Sequence, residues 1–134
     1  MSMVKLVDDN EHAAPAVRAI FDDIKATRNV TWINNFWRVL ASHPPTLARI
    51  WANVKEVMAP GAIDPLTKEL IYIAVSATNN CDYCLHSHTA SARKLGMSDA
   101  QFAEVLAVAG LANETNRLAN GYKVPVDETF LPKH

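Results

Sequence analysis

Cysteine is nearly missing from this 134-residue sequence: the two present, Cys81 and Cys84, lie in the ten-residue stretch NNCDYCLHSH, which also holds two of the five histidines. A multi-bridge disulfide framework is therefore excluded. A bridge between residues only three apart closes too small a loop to restrain the unfolded chain much, and a reducing cytosol opposes it as a structural staple. Long apolar runs are missing too. Nowhere do about 18 apolar residues occur in succession, which argues against a membrane span. The opening MSMVKLVDDNEHAAP carries acidic residues and no apolar leader, so the expected location is the cytoplasm. Neither sign of charge dominates: Lys and Arg number 13, Asp and Glu 14, with no basic cluster able to neutralise a row of phosphates. Nucleic acid is an unsuitable partner. Residues of types AVILMFWYC make up 49% of the chain, enough for a sizeable core, and residues 1–134 are expected to form a single domain.

Strand signals are almost absent, and helical periodicity fills the chain. APAVRAIFDDIKAT begins near Pro15 and repeats Val17, Ile20, Phe21 and Ile24. TWINNFWRVLASH offers Thr31 as an N-cap and an apolar set at Ile33, Phe36, Trp37 and Leu40 before Pro44. PTLARIWANVKEVMA repeats Leu47, Ile50, Trp51, Val54 and Met58 and stops at Pro60-Gly61. In DPLTKELIYIAVSATNN, Asp64 can cap and Pro65 can take the first helical position. The run from Leu70 to Ala77 is apolar on most sides, the mark of a helix buried among others. Asn79-Asn80 breaks it. A helix from about Cys81 to Leu95 should close at Gly96. Ser98 and Gln101 have capping-box spacing ahead of Phe102, Val105, Leu106 and Val108, with Gly110 as the expected stop and a short helix around 113–120 after it. The prediction is an all-α fold of about six to seven helices with the Cys-x-x-Cys at the start of one of them.

Successive helical residues are rotated by about 100 degrees, so Cys81, Cys84 and His88 fall within roughly 60 degrees of one another. They share a face. Tyr83 and His86 point about the opposite way, so His86 reads as a solvated or locally bonded residue. Near a helix N-terminus, unsatisfied N–H groups and the macrodipole favour the thiolate. A thiolate can attack a peroxide oxygen to give a sulfenic acid, and a second thiol one turn away can condense with it to a disulfide. The attacking thiol must lose a proton and the leaving alkoxide must gain one, a task that suits His88. Glu69, on the helix leading into the motif and twelve positions before Cys81, is the candidate carboxylate to orient that histidine. Taken alone, however, Glu69 reads as an ordinary first-turn carboxylate favoured by the helix dipole.

Other chemistries fit less well. A closed zinc site takes its ligands from two separate knuckles, and His12, His43 and His134 are scattered away from any partner motif. The cysteines could also be plain small core residues. Trp32, Trp37 and Trp51 read as core or subunit interface rather than substrate pocket.

Glu69, Cys81-Asp82-Tyr83-Cys84 and His88 together resemble the alkyl hydroperoxidase D branch of the carboxymuconolactone decarboxylase family, over a region from about Pro65 to Gly110. The resemblance implies an all-α fold with the motif at the junction of two antiparallel helices, and a homo-oligomer, trimer or hexamer. It implies a peroxidase or disulfide reductase working without haem, metal or other cofactor, in which glutamate and histidine, through water, activate the thiols. By the same resemblance Cys84 would be the peroxidatic thiol, and Cys81 would form the disulfide and face an external dithiol, lipoyl-bearing or thioredoxin-like. Helix electrostatics alone favour Cys81. Tyr83 stands where well-described members carry a histidine, and a phenol with pKa near 10 is a poor base at neutral pH. Decarboxylases of the superfamily lack the cysteine pair, so thiol chemistry on a small hydroperoxide is the expected activity. The alternatives are a disulfide-exchange or redox-sensing module with little peroxide turnover, and a zinc-binding structural protein.

Overall fold

The structure, a computed structural model, describes residues 1–133. All regular structure among them is helical: six α-helices and a 3-10 turn at Glu128–Phe130. The all-α prediction with six to seven helices holds. The chain divides into two compact units, Met1–Ala59 and a second from Pro60 onward.

The first unit contains α1 (Pro15–Arg28), α2 (Asn35–Leu40) and α3 (Pro44–Val57). Proline opens α1 and α3, where its missing N–H costs no helical hydrogen bond. Val17, Phe21 and Ile24 of α1, Trp37 of α2, and Leu47 and Trp51 of α3 are buried in one cluster. Trp37 and Trp51 meet edge to face, with ring centroids 5.4 Å apart. Trp32 does not join them; it is 59% exposed. Thr31 is not the cap of α2. That helix starts three residues later, after Asn34 in extended conformation, because the chain first sends Ile33 into the core.

Polar bonds at the edge of this core have a pH signature. The Asp23 carboxylate accepts hydrogen bonds from Lys55 Nζ (2.6 Å) and Trp51 Nε1 (2.7 Å). The Lys55 bond first, and the Trp51 bond second, hold its pKa below the ordinary aspartate value of 3.8. A lowered folded-state pKa contributes stability that is present above the unfolded value and lost as pH falls through the folded one. Asp23→Asn should therefore be less stable than the parent at pH 7, and the gap should narrow below about pH 4. Urea midpoints across that range test it, and a gap that does not change with pH would refute it.

The second unit is built from α4 (Pro65–Thr78), α5 (Asp82–Lys94) and α6 (Asp99–Gly121), with α4 packed on both others. Asp64 caps α4 as expected, its carboxylate accepting from Thr67 N–H at 3.0 Å and from the Thr67 hydroxyl. Ile73, Ala92 and Met97 are buried at the centre, and Leu66, Leu70, Leu85, Phe102, Val105 and Leu106 pack around them. The capping box of Ser98 and Gln101 is formed in full.

Two expectations fail here. α4 is not buried on all sides: Ile71, Tyr72 and Val75 are exposed, because α5 and α6 cover only part of its circumference. Nor does α6 stop at Gly110 before a separate short helix; it continues without interruption to Gly121. An interior glycine costs about 1 kcal/mol relative to alanine. Opposing that cost, Asn113 donates to Ala109 O (2.8 Å) and to Thr78 Oγ1 of α4 (3.0 Å), tethering the helix on the far side of Gly110.

The joint between α4 and α5 is only Asn79, Asn80 and Cys81. Asn80 sits in the left-handed region at φ 56°, a conformation asparagine tolerates better than most residues. Its N–H bonds to Ala77 O (3.4 Å) and that of Cys81 to Ser76 O (3.0 Å), the paired bonds of a Schellman turn. Cys81 is thus both the residue that closes the α4 terminus and the N-cap of α5.

Candidate active site

The joint fixes where the motif begins. As N-cap, Cys81 presents its sulfur to the first turn of α5, and Cys84 N–H donates to it at 3.3 Å. Cys81 and Cys84 are joined as a disulfide with Cα atoms 5.3 Å apart, and both residues are half-buried. The helix places His88 one turn beyond Cys84, on the face the spacing predicts.

His88 meets Glu69 across the α4–α5 pair. Its Nδ1 lies 2.6 Å from Glu69 Oε2, with the two side chains only 16% and 13% exposed. An ionised carboxylate has only acceptors, so Nδ1–H is the donor and Nε2 remains for proton exchange. Glu69 is therefore not the ordinary solvated carboxylate that its position alone suggested. Ser87 Oγ, bonded to Cys84 O at 3.2 Å, and Ser91 Oγ, bonded to Ser87 O at 3.1 Å, keep the small polar side of α5 satisfied by its own backbone.

The second histidine of the stretch lies apart from this cluster. His86 is 81% exposed and 3.6 Å from Asp82, one turn away on its own helix, the local bonding expected of it. Tyr83 is 42% exposed. His12 lies in an exposed contact with Glu11, His43 Nδ1 is 2.8 Å from Thr46 Oγ1, and His134 lies outside the described residues. Among the described residues no group of three or more His, Cys, Asp or Glu is placed to hold a metal ion, and no helix is long and apolar enough to cross a membrane.

One residue of the cluster escaped the sequence reading. Tyr72 of α4 stacks on the His88 ring, with centroids 3.5 Å apart and planes inclined by 17°. The signal was available: Tyr72 is three residues after Glu69, on the same helix face.

This geometry can be set against known proteins. The model of the carboxymuconolactone decarboxylase family matches residues 44–127. The chain belongs to that family. It is similar to a crystal structure of the alkylhydroperoxidase AhpD core from Rhodospirillum rubrum, with 55% identity, 99% of each chain covered and a TM-score of 0.94. It is 33% identical over 106 residues to the alkyl hydroperoxide reductase AhpD of Solibacter usitatus, covering 77% of this chain and 58% of that protein. It is 40% identical over 55 residues to uncharacterized protein 4 of the cox locus of Paracoccus denitrificans, covering 41% of this chain and 50% of that protein. The chain spans about half the length of the curated relatives it matches. The family also includes decarboxylases, so membership alone leaves the reaction open.

Proposed function

We propose that this protein is a cytoplasmic thiol-dependent peroxidase that reduces hydrogen peroxide or small organic hydroperoxides through a Cys81-Cys84 dithiol/disulfide cycle. The observation that carries this reading is the cysteine pair on the same face of α5 as a histidine whose Nδ1–H is held by a sheltered carboxylate. The names of the two AhpD relatives point the same way.

In the cycle, His88 Nε2 takes the proton of the Cys84 thiol, directly or through one water, and Glu69 stabilises the imidazolium. The Cys84 thiolate attacks the terminal peroxide oxygen, the O–O bond breaks, and the leaving alkoxide takes the proton back to give the alcohol and Cys84 sulfenic acid. Attack by the Cys81 thiol then forms the disulfide and releases water. An external dithiol, lipoyl-bearing or thioredoxin-like, reduces that disulfide, becoming a disulfide itself and restoring both thiols. No cofactor takes part in these steps. Tyr83 would be at most an accessory, since a phenol does not serve as base near neutral pH.

Stopped-flow oxidation of the reduced protein by one equivalent of cumene hydroperoxide tests the reading. Fast loss of two thiols per chain is the expected result. Slow loss together with rapid dithiol exchange would replace the peroxidase with a disulfide-exchange or redox-sensing module.

The working form is proposed to be a homo-oligomer, trimer or hexamer, of the domain spanning residues 1–134. What supports assembly is the uncovered side of α4. Val75 (52% exposed) and Val108 (68%) line a shallow groove of about 260 Å³ with Ala74, Ala109 and Ala112. An apolar helix face left open in one chain is the kind of surface that subunits bury. Val75→Asp should shift the sedimentation coefficient to that of a monomer; an unchanged coefficient would remove this face from the interface.

A further inference from the structure

We infer that Tyr72 is a positioning residue for the His88 imidazole, setting the plane of the ring and hence the direction in which Nε2 points. The inference rests on the proton relay proposed above and extends it to a residue outside the cysteine, histidine and glutamate set.

One hydrogen bond fixes a single point of a ring. The bond from His88 Nδ1 to Glu69 Oε2 anchors one atom of the ring. Rotation about a terminal sp³–sp² torsion such as histidine χ2 is soft, so a single anchor leaves the plane free to rock about it. Tyr72 removes that freedom. Its ring lies 3.5 Å from the imidazole with only 17° between planes, so rocking would drive His88 into the tyrosine face. Glu69 and Tyr72 are one turn apart on α4, and Cys84 and His88 one turn apart on α5. Two restraints from one helix therefore act on a ring carried by the other, and Nε2 is the ring nitrogen that Glu69 does not engage.

Simple packing explains this tyrosine poorly. The residue is 37% exposed, whereas Ile73 beside it is fully buried and fills the core of the unit. A flat ring against a flat ring is what the site requires, and an aliphatic side chain would not supply it. Correct placement of a proton-transfer group matters greatly, since misplacement by about 1 Å can cost about 100-fold in rate.

The test uses the full chain with two substitutions and one measurement that needs neither. In the unaltered oxidised protein, NMR should show the His88 ring protons shifted upfield of those of His86, the exposed histidine on the same helix. Tyr72→Phe should keep that shift and react with cumene hydroperoxide within about twofold of the parent, and Tyr72→Leu should lose the shift and slow about 10- to 100-fold. A His88 spectrum matching that of His86 would overturn the inference. So would equal rates in Tyr72→Leu and the parent, or an equal slowing in Tyr72→Phe, which would transfer the role to the hydroxyl.

Failure of the peroxidase reading gives a different pattern: the unaltered protein itself would not consume peroxide. Tyr72 is then judged on reduction of the disulfide by dithiothreitol, which becomes the cyclic disulfide while Cys81 and Cys84 become thiols. There His88 must return a proton to the departing Cys84 sulfur, so the same ordering of the three proteins is expected.

Discussion

Cys84→Ser is expected to abolish peroxide consumption, whereas Cys81→Ser should react once and stop. A serine hydroxyl at position 84 is no nucleophile toward peroxide oxygen at neutral pH. With Cys81 replaced, Cys84 can still be oxidised, but its sulfenic acid has no partner thiol and should accumulate, where dimedone would trap it for mass spectrometry. The opposite assignment has a physical case. The Cys84 N–H that donates to Cys81 Sγ at 3.3 Å favours a thiolate at Cys81, as the start of a helix generally does. The proposed assignment to Cys84 rests on magnitudes: one N–H to sulfur bond is a small perturbation, whereas a positioned acid-base group contributes about 10²- to 10⁴-fold, and His88, which pairs with Glu69, is one turn along α5 from Cys84. If dimedone instead labels Cys81 in the Cys84→Ser protein, the roles are exchanged and the relay must serve the other sulfur.

The second large effect is expected at Glu69. Glu69→Gln should slow thiol oxidation about 100-fold with little change in folding. The amide oxygen of glutamine can still accept from His88 Nδ1–H, so the ring keeps its anchor while the negative charge that stabilises the imidazolium is gone. Glu69→Ala differs: it leaves a sheltered N–H without its acceptor, at about 1–3 kcal/mol of stability. Comparing stopped-flow rates with urea midpoints for the two variants separates charge from anchoring. Unchanged oxidation kinetics in Glu69→Gln would reduce the pair to a structural contact between α4 and α5.

What the sequence disclosed was mostly what a single helix or turn determines by itself. Asp64 with Pro65, and Ser98 with Gln101, are local hydrogen-bonding patterns, and both occur as read. The common face of Cys81, Cys84 and His88 follows from the rotation per residue and needs no tertiary information. Errors came where long-range contacts outweighed a local rule. Thr31 lost the cap of α2 because Ile33 enters the core first, and Gly110 failed to end α6 because Asn113 ties the helix to α4. Glu69 and Tyr72 show the same boundary from the other side. Their three-residue spacing puts them on one face of α4, and its place ahead of the motif made Glu69 the candidate partner of His88, but the rotation that also lays Tyr72 on that ring is set by packing around Ile73 and Ala92. The openness of α4 was hidden for a related reason: apolarity on every side does not say which sides the neighbouring helices cover.

The three-residue joint of Asn79, Asn80 and Cys81 makes the two helices behave like meshed gears, with the phase of one set by the other. A single residue inserted after Asn79 would break the paired bonds from Asn80 and Cys81 to Ala77 and Ser76, and with them the fixed orientation of α5 on α4. Cys81, Cys84 and His88 would keep their common face, because that depends on α5 alone, yet nothing in the joint would any longer hold His88 against Glu69 and Tyr72. The joint is thus a clutch, and disengaging it would leave a dithiol motif with an uncoupled histidine and every chemical group still in place.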